Sequence, residues 1–170
     1  MATPRELGPL SHLSAEAIGQ PGQRRFCLKA LSEQGESAVL WLEKEQLVAL
    51  GDAIETVLEN EGYTYERPPL DDAPADPPFP LSAGTEMQVA QLSMGVNRER
   101  QSIVLIGADA PEPESVTEAL SMALDYRRGY ELRQQIREVV AAGRPPCPLC
   151  GAPIDPTGHI CPKSNGHHPH

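Results

Sequence analysis

The sequence predicts an α+β fold: a duplicated β-β-β-α unit forming a mainly antiparallel sheet with two helices, plus a small C-terminal zinc knuckle. Three observations lead there. Residues 10–62 and 85–142 each read as three strands followed by one amphipathic helix. Between them, residues 67–84 hold six of the 18 prolines. After them, residues 143–170 concentrate Cys, His, Pro and Gly. The expected organisation is a body over 1–142 and a knuckle with a His-rich tail over 143–170.

The first unit opens with a strand over 10–19, and Pro21-Gly22 signals a turn. Residues 24–31 alternate, with Phe26, Leu28 and Ala30 on one face. Gln34-Gly35 turns the chain into a third strand, 37–42. A helix over 43–60 follows, because Leu47, Leu50, Ile54, Val57 and Leu58 form one apolar stripe and Gly62 stops it. In the second unit, 86–96 alternates as one strand, 97–101 turns, and 102–108 is an apolar strand. A Pro-punctuated loop over 109–114 leads to a strand over 115–124. The closing helix, 125–142, carries the stripe Leu132, Ile136, Val139 and Val140, and Gly143 ends it. An acidic residue begins each helix, Glu43 and Asp125, which suits the helix dipole. Either unit alone has too little core to stand, so the two should share a sheet of about six strands.

The Pro-rich stretch cannot form a helix or a central strand and reads as an extended connector. Its PxxP pattern has three acidic residues and no basic one after Arg67, so a linker is favoured over an SH3-type ligand.

Composition excludes several classes of function. The chain has 170 residues, with 14 Lys+Arg against 24 Asp+Glu and a formal net charge of -10. Whole-surface nucleic-acid binding needs the opposite balance. No apolar run reaches the roughly 20 residues of a membrane helix. Residues 1–9 lack the apolar core of a signal peptide, so a cytoplasmic location and no membrane contact are expected.

Three of the four cysteines fall within fifteen residues, in Cys147-Pro-Leu-Cys150-Gly151 and Gly158-His159-Ile-Cys161-Pro162. That clustering suits a metal better than a disulfide framework. Two thiolates at i and i+3 reach one ion from a tight turn, and the glycine lets the backbone fold back. Zinc takes four ligands, so Cys147, Cys150 and Cys161 need one histidine. His159 is favoured because it sits two residues from Cys161. His167, in the tail, is the rival fourth ligand. Four protein ligands close the site, which makes the Zn2+ structural. Asp155 offers a base on paper, but Ile154-Asp155-Pro156 reads as a turn. The plain alternative leaves these cysteines without metal.

Cys27 reads as a buried strand residue, since no base accompanies it. There is no Gly-rich phosphate loop, His-Glu-x-x-His or Gly-x-Ser-x-Gly. Residues 125–170 carry a net +2 against -12 for the rest. Glu131 and Glu138 interleave with the arginines there at helix-pair spacing, which describes a solvated helix face with no stacking platform visible beside it. Three functions remain in play. The favoured one is a non-enzymatic interaction or regulatory protein with an unidentified protein partner. The others are an enzyme acting on a small molecule in a cleft between the repeats, and a nucleic-acid module using the knuckle. Nucleic acid is the less favoured partner.

Gly22-Gln23-Arg24…Phe26, Leu42-Glu43-Lys44-Glu45-Gln46 and the ending Ala141-Ala142-Gly143-Arg144-Pro145-Pro146-Cys147-Pro148-Leu149-Cys150-Gly151…Gly158-His159-Ile160-Cys161-Pro162…Asn165-Gly166 together resemble an uncharacterised actinobacterial repeat family, domain of unknown function 3090. The resemblance spans nearly the whole chain, and its C-terminal motif is the specific part. It implies a bacterial cytoplasmic protein with no assigned activity and carries over no catalytic residue.

Overall fold

The computed structural model describes residues 3–20, 23–66 and 77–142. The elements run β1 (Arg5–Ile18), β2 (Arg25–Ser32), β3 (Ser37–Leu42), α1 (Lys44–Asn60), β4 (Thr85–Gln88), β5 (Gln91–Asn97), β6 (Ser102–Ala108), a 3₁₀ turn (Pro113–Ser115), β7 (Ala119–Asp125) and α2 (Tyr126–Ala142). This is an α+β protein with one mixed seven-stranded sheet, ordered β4-β3-β2-β1-β7-β6-β5. Four of the six strand pairings are antiparallel; β1–β7 and β3–β4 are parallel.

The two ends of that strand order, β4 and β5, are neighbours in the chain. A flat sheet would hold them roughly 29 Å apart at about 4.8 Å per strand. The three steps from Gln88 to Gln91 reach at most about 11 Å. The sheet therefore curls until its ends meet. The hand-over is visible in the backbone: Val89 N–H donates to Trp41 O on β3 (2.9 Å), and Ala90 N–H donates to Ala108 O on β6 (2.8 Å). The single strand expected over 86–96 is thus two strands, because its halves pair with opposite ends of the sheet. That accounts for seven strands in place of six.

Two other expectations are corrected. The first strand begins at Arg5, not at residue 10, and its inward set runs Leu7, Leu10, Leu13, Ala15. Each three-residue step takes up one bulge, at Glu6/Gly8 and Leu10/His12, and Gly8 adopts φ +68 at the first. The last strand begins at Ala119, not 115. Pro111 and Pro113 withhold backbone donors, and Asp109 takes both the Thr117 N–H (2.9 Å) and the Thr117 hydroxyl, which closes the loop instead.

Both helices have legible ends. The Glu43 N–H donates to Gln46 Oε1 at 2.7 Å before α1. After it, Gly62 (φ +67) donates to Glu59 O and Tyr63 N–H to Leu58 O, a Schellman closure. Asp125 Oδ1 accepts the Arg128 N–H at 2.7 Å and caps α2. The helices cover gaps in the curled sheet. β1 pairs β7 only over Arg5–Pro9, and beyond it the Ala15 N–H turns to Gln135 Oε1 of α2 (3.0 Å). Gln46 of α1 donates to Val89 O at the other seam (3.2 Å). Leu47, Leu50, Ile54 and Leu58 of α1 and Leu132 and Ile136 of α2 join Leu28, Leu40, Ile103, Leu105 and Met122 in one core. No helix among the described residues is long and apolar enough to cross a membrane.

Candidate functional site

The expected zinc ligands Cys147, Cys150, His159 and Cys161, with the rival His167, lie outside the described residues. Among the described residues, no three His, Cys, Asp or Glu side chains come together as a metal site. The Cys/His segment starts directly after α2, whose last residue is Ala142.

The described residues form a cleft of about 320 Å³ along the outer seam of α1 and α2. On α1, Lys44, Val48 and Asp52 recur every four residues and so share one edge of the helix. On α2, Arg133, Arg137 and Ala141 do the same, and Ile136 and Val140 sit one position earlier. Gly51 decides how close the helices come. A Cβ there would lie 3.3 Å from Ile136 Cγ2, tighter than an ordinary carbon contact, so glycine allows this crossing without a shift of Ile136. Val48 stays 39% exposed at the mouth.

The rim is ionic. Arg137 and Arg133 both reach across to Glu55 of α1, at 3.0 and 3.7 Å. One carboxylate thus serves two guanidinium groups. Lys44 and Asp52 make no ion pair among the described residues. Arg133 also lies 5.5 Å from the ring centre of Tyr130, which stacks on Tyr65 at 4.2 Å and 12°. Its Nε is buried without a partner. The stacked pair is an aromatic platform that was not visible in the sequence, because Tyr65 comes from beyond the end of α1. The cleft lining contains no Ser, Thr, Cys, His or Tyr. It can hold a ligand, and among its lining residues Lys44 and Asp52 are the side chains able to act as nucleophile or base.

A second polar group lies on the outward side of β1 and β2. His12, Ser14 and Glu16 alternate down β1. Ser14 Oγ donates to Glu16 (3.2 Å) and stands 3.2 Å from His12 Nε2, and Lys29 pairs with Glu16 at 3.2 Å. Phe79 covers the row, 6.0 Å from the His12 ring and 5.6 Å from Lys29 Nζ. Here the serine sits between the other two groups, whereas hydroxyl activation needs the histidine in the middle with its second nitrogen held. His12 Nδ1 is buried and unpartnered, so the row is a structural hydrogen-bond chain. Cys27, opposite Glu16 and Trp41 in register, is fully buried, as expected from the sequence. Burial, then the Glu16 charge, pushes its thiol pKa up, away from a nucleophile. Beside it, the Arg25 guanidinium lies 4.0 Å from the centre of the Trp41 ring.

The basic helix is partly compensated. Arg127 pairs with Glu131 at 3.1 Å, and Arg133 and Arg137 turn to Glu55. These arginines serve the fold before any phosphate. No curated protein matches the sequence. The sequence profile of a family described as protein of unknown function (DUF3090) matches residues 6–161, which takes in the sheet from the second residue of β1 onward, both helices and the Cys/His segment as far as Cys161. With that much of its length matched, the chain belongs to the DUF3090 family.

Proposed function

We propose that the protein is a non-enzymatic interaction or regulatory protein of the cytoplasm, with a duplicated α+β body and one structural zinc held by Cys147, Cys150, His159 and Cys161. The observation that carries the non-enzymatic part is the cleft: an apolar floor and ionic rim with no Ser, Thr, Cys, His or Tyr among its lining residues. Duplication is supported by the sheet. β3-β2-β1 and β7-β6-β5 sit as successive blocks, and the strands in corresponding places point the same way. Zinc is supported by the ligand spacing. The profile match ends at Cys161 and so includes His159 but not His167.

The test has two arms. Metal analysis after purification without chelators gives near one zinc per chain, and Cys150→Ser loses most of it, because a site missing one thiolate binds far more weakly. A clear zero ends the zinc assignment. The tagged full chain, used as bait in its native host, retains a protein that Val48→Glu releases. Retention by both forms moves the interaction surface away from the cleft.

A further inference from the structure

We infer that the α1–α2 cleft binds a small organic monoanion, an apolar ring or chain ending in one carboxylate-type head. This inference needs neither the zinc nor the protein partner. Its volume, about 320 Å³, is at the small end of the roughly 300–1,000 Å³ of small-molecule sites. Gly51, Ile136 and Val140 give the apolar floor such a body needs, and Val48 continues it to the mouth. Those four residues offer no hydrogen-bonding side chain, so a fully polar ligand would lose water there without return.

The rim sets the sign of the charge. Three cations, Lys44, Arg133 and Arg137, face two carboxylates, Asp52 and Glu55. Because Arg133 and Arg137 share Glu55, one positive charge on that side is uncompensated, and Lys44 adds a second; Asp52 offsets one of the two. The cleft is therefore locally cationic on a chain of net charge -10. A single anionic head entering beside Arg137 would complete the second guanidinium–carboxylate pair, the geometry arginine favours. A cationic head would meet Arg137 and Lys44 with like charge. A dianion would exceed the surplus.

The test titrates the full-length protein with sodium octanoate and follows backbone amide shifts by NMR, with octylammonium chloride as the charge-reversed control. Saturable shifts at Val48, Gly51, Ile136 and Val140 are expected, with a dissociation constant on the order of a millimolar or tighter for so small a ligand. The double variant Lys44→Gln/Arg137→Gln, whose changes lie at the cleft rim, should bind octanoate about tenfold more weakly, the loss expected for a charge-assisted contact. Absence of saturable shifts at the cleft overturns the inference. So does equal binding of octylammonium, or a double variant that binds octanoate as the parent does.

Discussion

Gly129 tests how tightly α2 is seated. It is buried on the face of α2 toward the sheet, and a Cβ built there lies 3.0 Å from Ile103 Cδ1 and 3.6 Å from Ile54 Cγ2. Ordinary carbon contacts lie at about 3.5–4.0 Å, so Gly129→Ala presses roughly half an ångström or more into Ile103. Ile103 is 1% exposed and Ile54 fully buried, so neither has open space to swing into. Two effects oppose each other. Replacing a glycine by alanine within a helix stabilises by at most about 1 kcal/mol, and Gly129 lies in the first turn of α2. Overpacking a dense core costs about 1–3 kcal/mol. The clash should win, leaving Gly129→Ala destabilised by about 1 kcal/mol, or roughly 2–4 °C in Tm for a chain of this size. Gly95→Ala is the internal control: a Cβ on β5 meets nothing within 4 Å, so the same change there should be neutral or stabilise by up to about 1 kcal/mol. Thermal and urea unfolding followed by circular dichroism read both. If Gly129→Ala raises Tm as Gly95→Ala does, α2 does not sit at contact distance from β6, and the account of the helix seam fails.

Asp109 accepts from Thr117, and that hydrogen bond holds its carboxyl below the usual range. Its contribution to stability is present above the ordinary carboxylate pKa and disappears as pH falls through the lowered folded pKa. Asp109→Asn should flatten that acid limb in unfolding measured across pH, and an unchanged limb refutes the assignment. In zinc-stripped folded protein, a thiol reagent should find three fast cysteines, with Cys27 reacting only once denaturant opens the sheet; four fast thiols would contradict its burial. His159→Ala should give up zinc readily to a chromophoric chelator while a chain ending after Gly166 keeps it, since closing the site with His167 must order a further loop near a free end; the reverse pattern assigns His167. A chain ending at Ala142 should still unfold cooperatively, because the described core is complete by Ile136; a disordered far-UV spectrum would make the Cys/His segment part of the body.

What could be read along the chain was whatever repeats at short range. Leu47, Leu50, Ile54 and Leu58 mark one face of α1 through the 3.6-residue period alone. Glu43 and Gly62 bracket that helix because caps act within a few residues. The strands 37–42 and 102–108 were legible for the same reason. The Cys-x-x-Cys spacing is likewise a local signal, and it points to zinc before any fold is known. The hand-over at Val89–Ala90 was not legible, since an alternating strand looks the same whether it keeps one neighbour or changes it. The length of β1 was hidden by its two bulges, which break the alternation that would have extended it to Arg5. The cleft was the least legible feature. The pairing of Arg133 and Arg137 with Glu55 joins positions about eighty residues apart, and the nearer cue, Glu131 and Glu138 among the arginines, suggested a solvated face. Periodicity records which side of an element is apolar. Which other element covers that side is set by how the sheet curls and where glycines such as Gly51 and Gly129 let the helices approach, and those are properties of distant residues brought together.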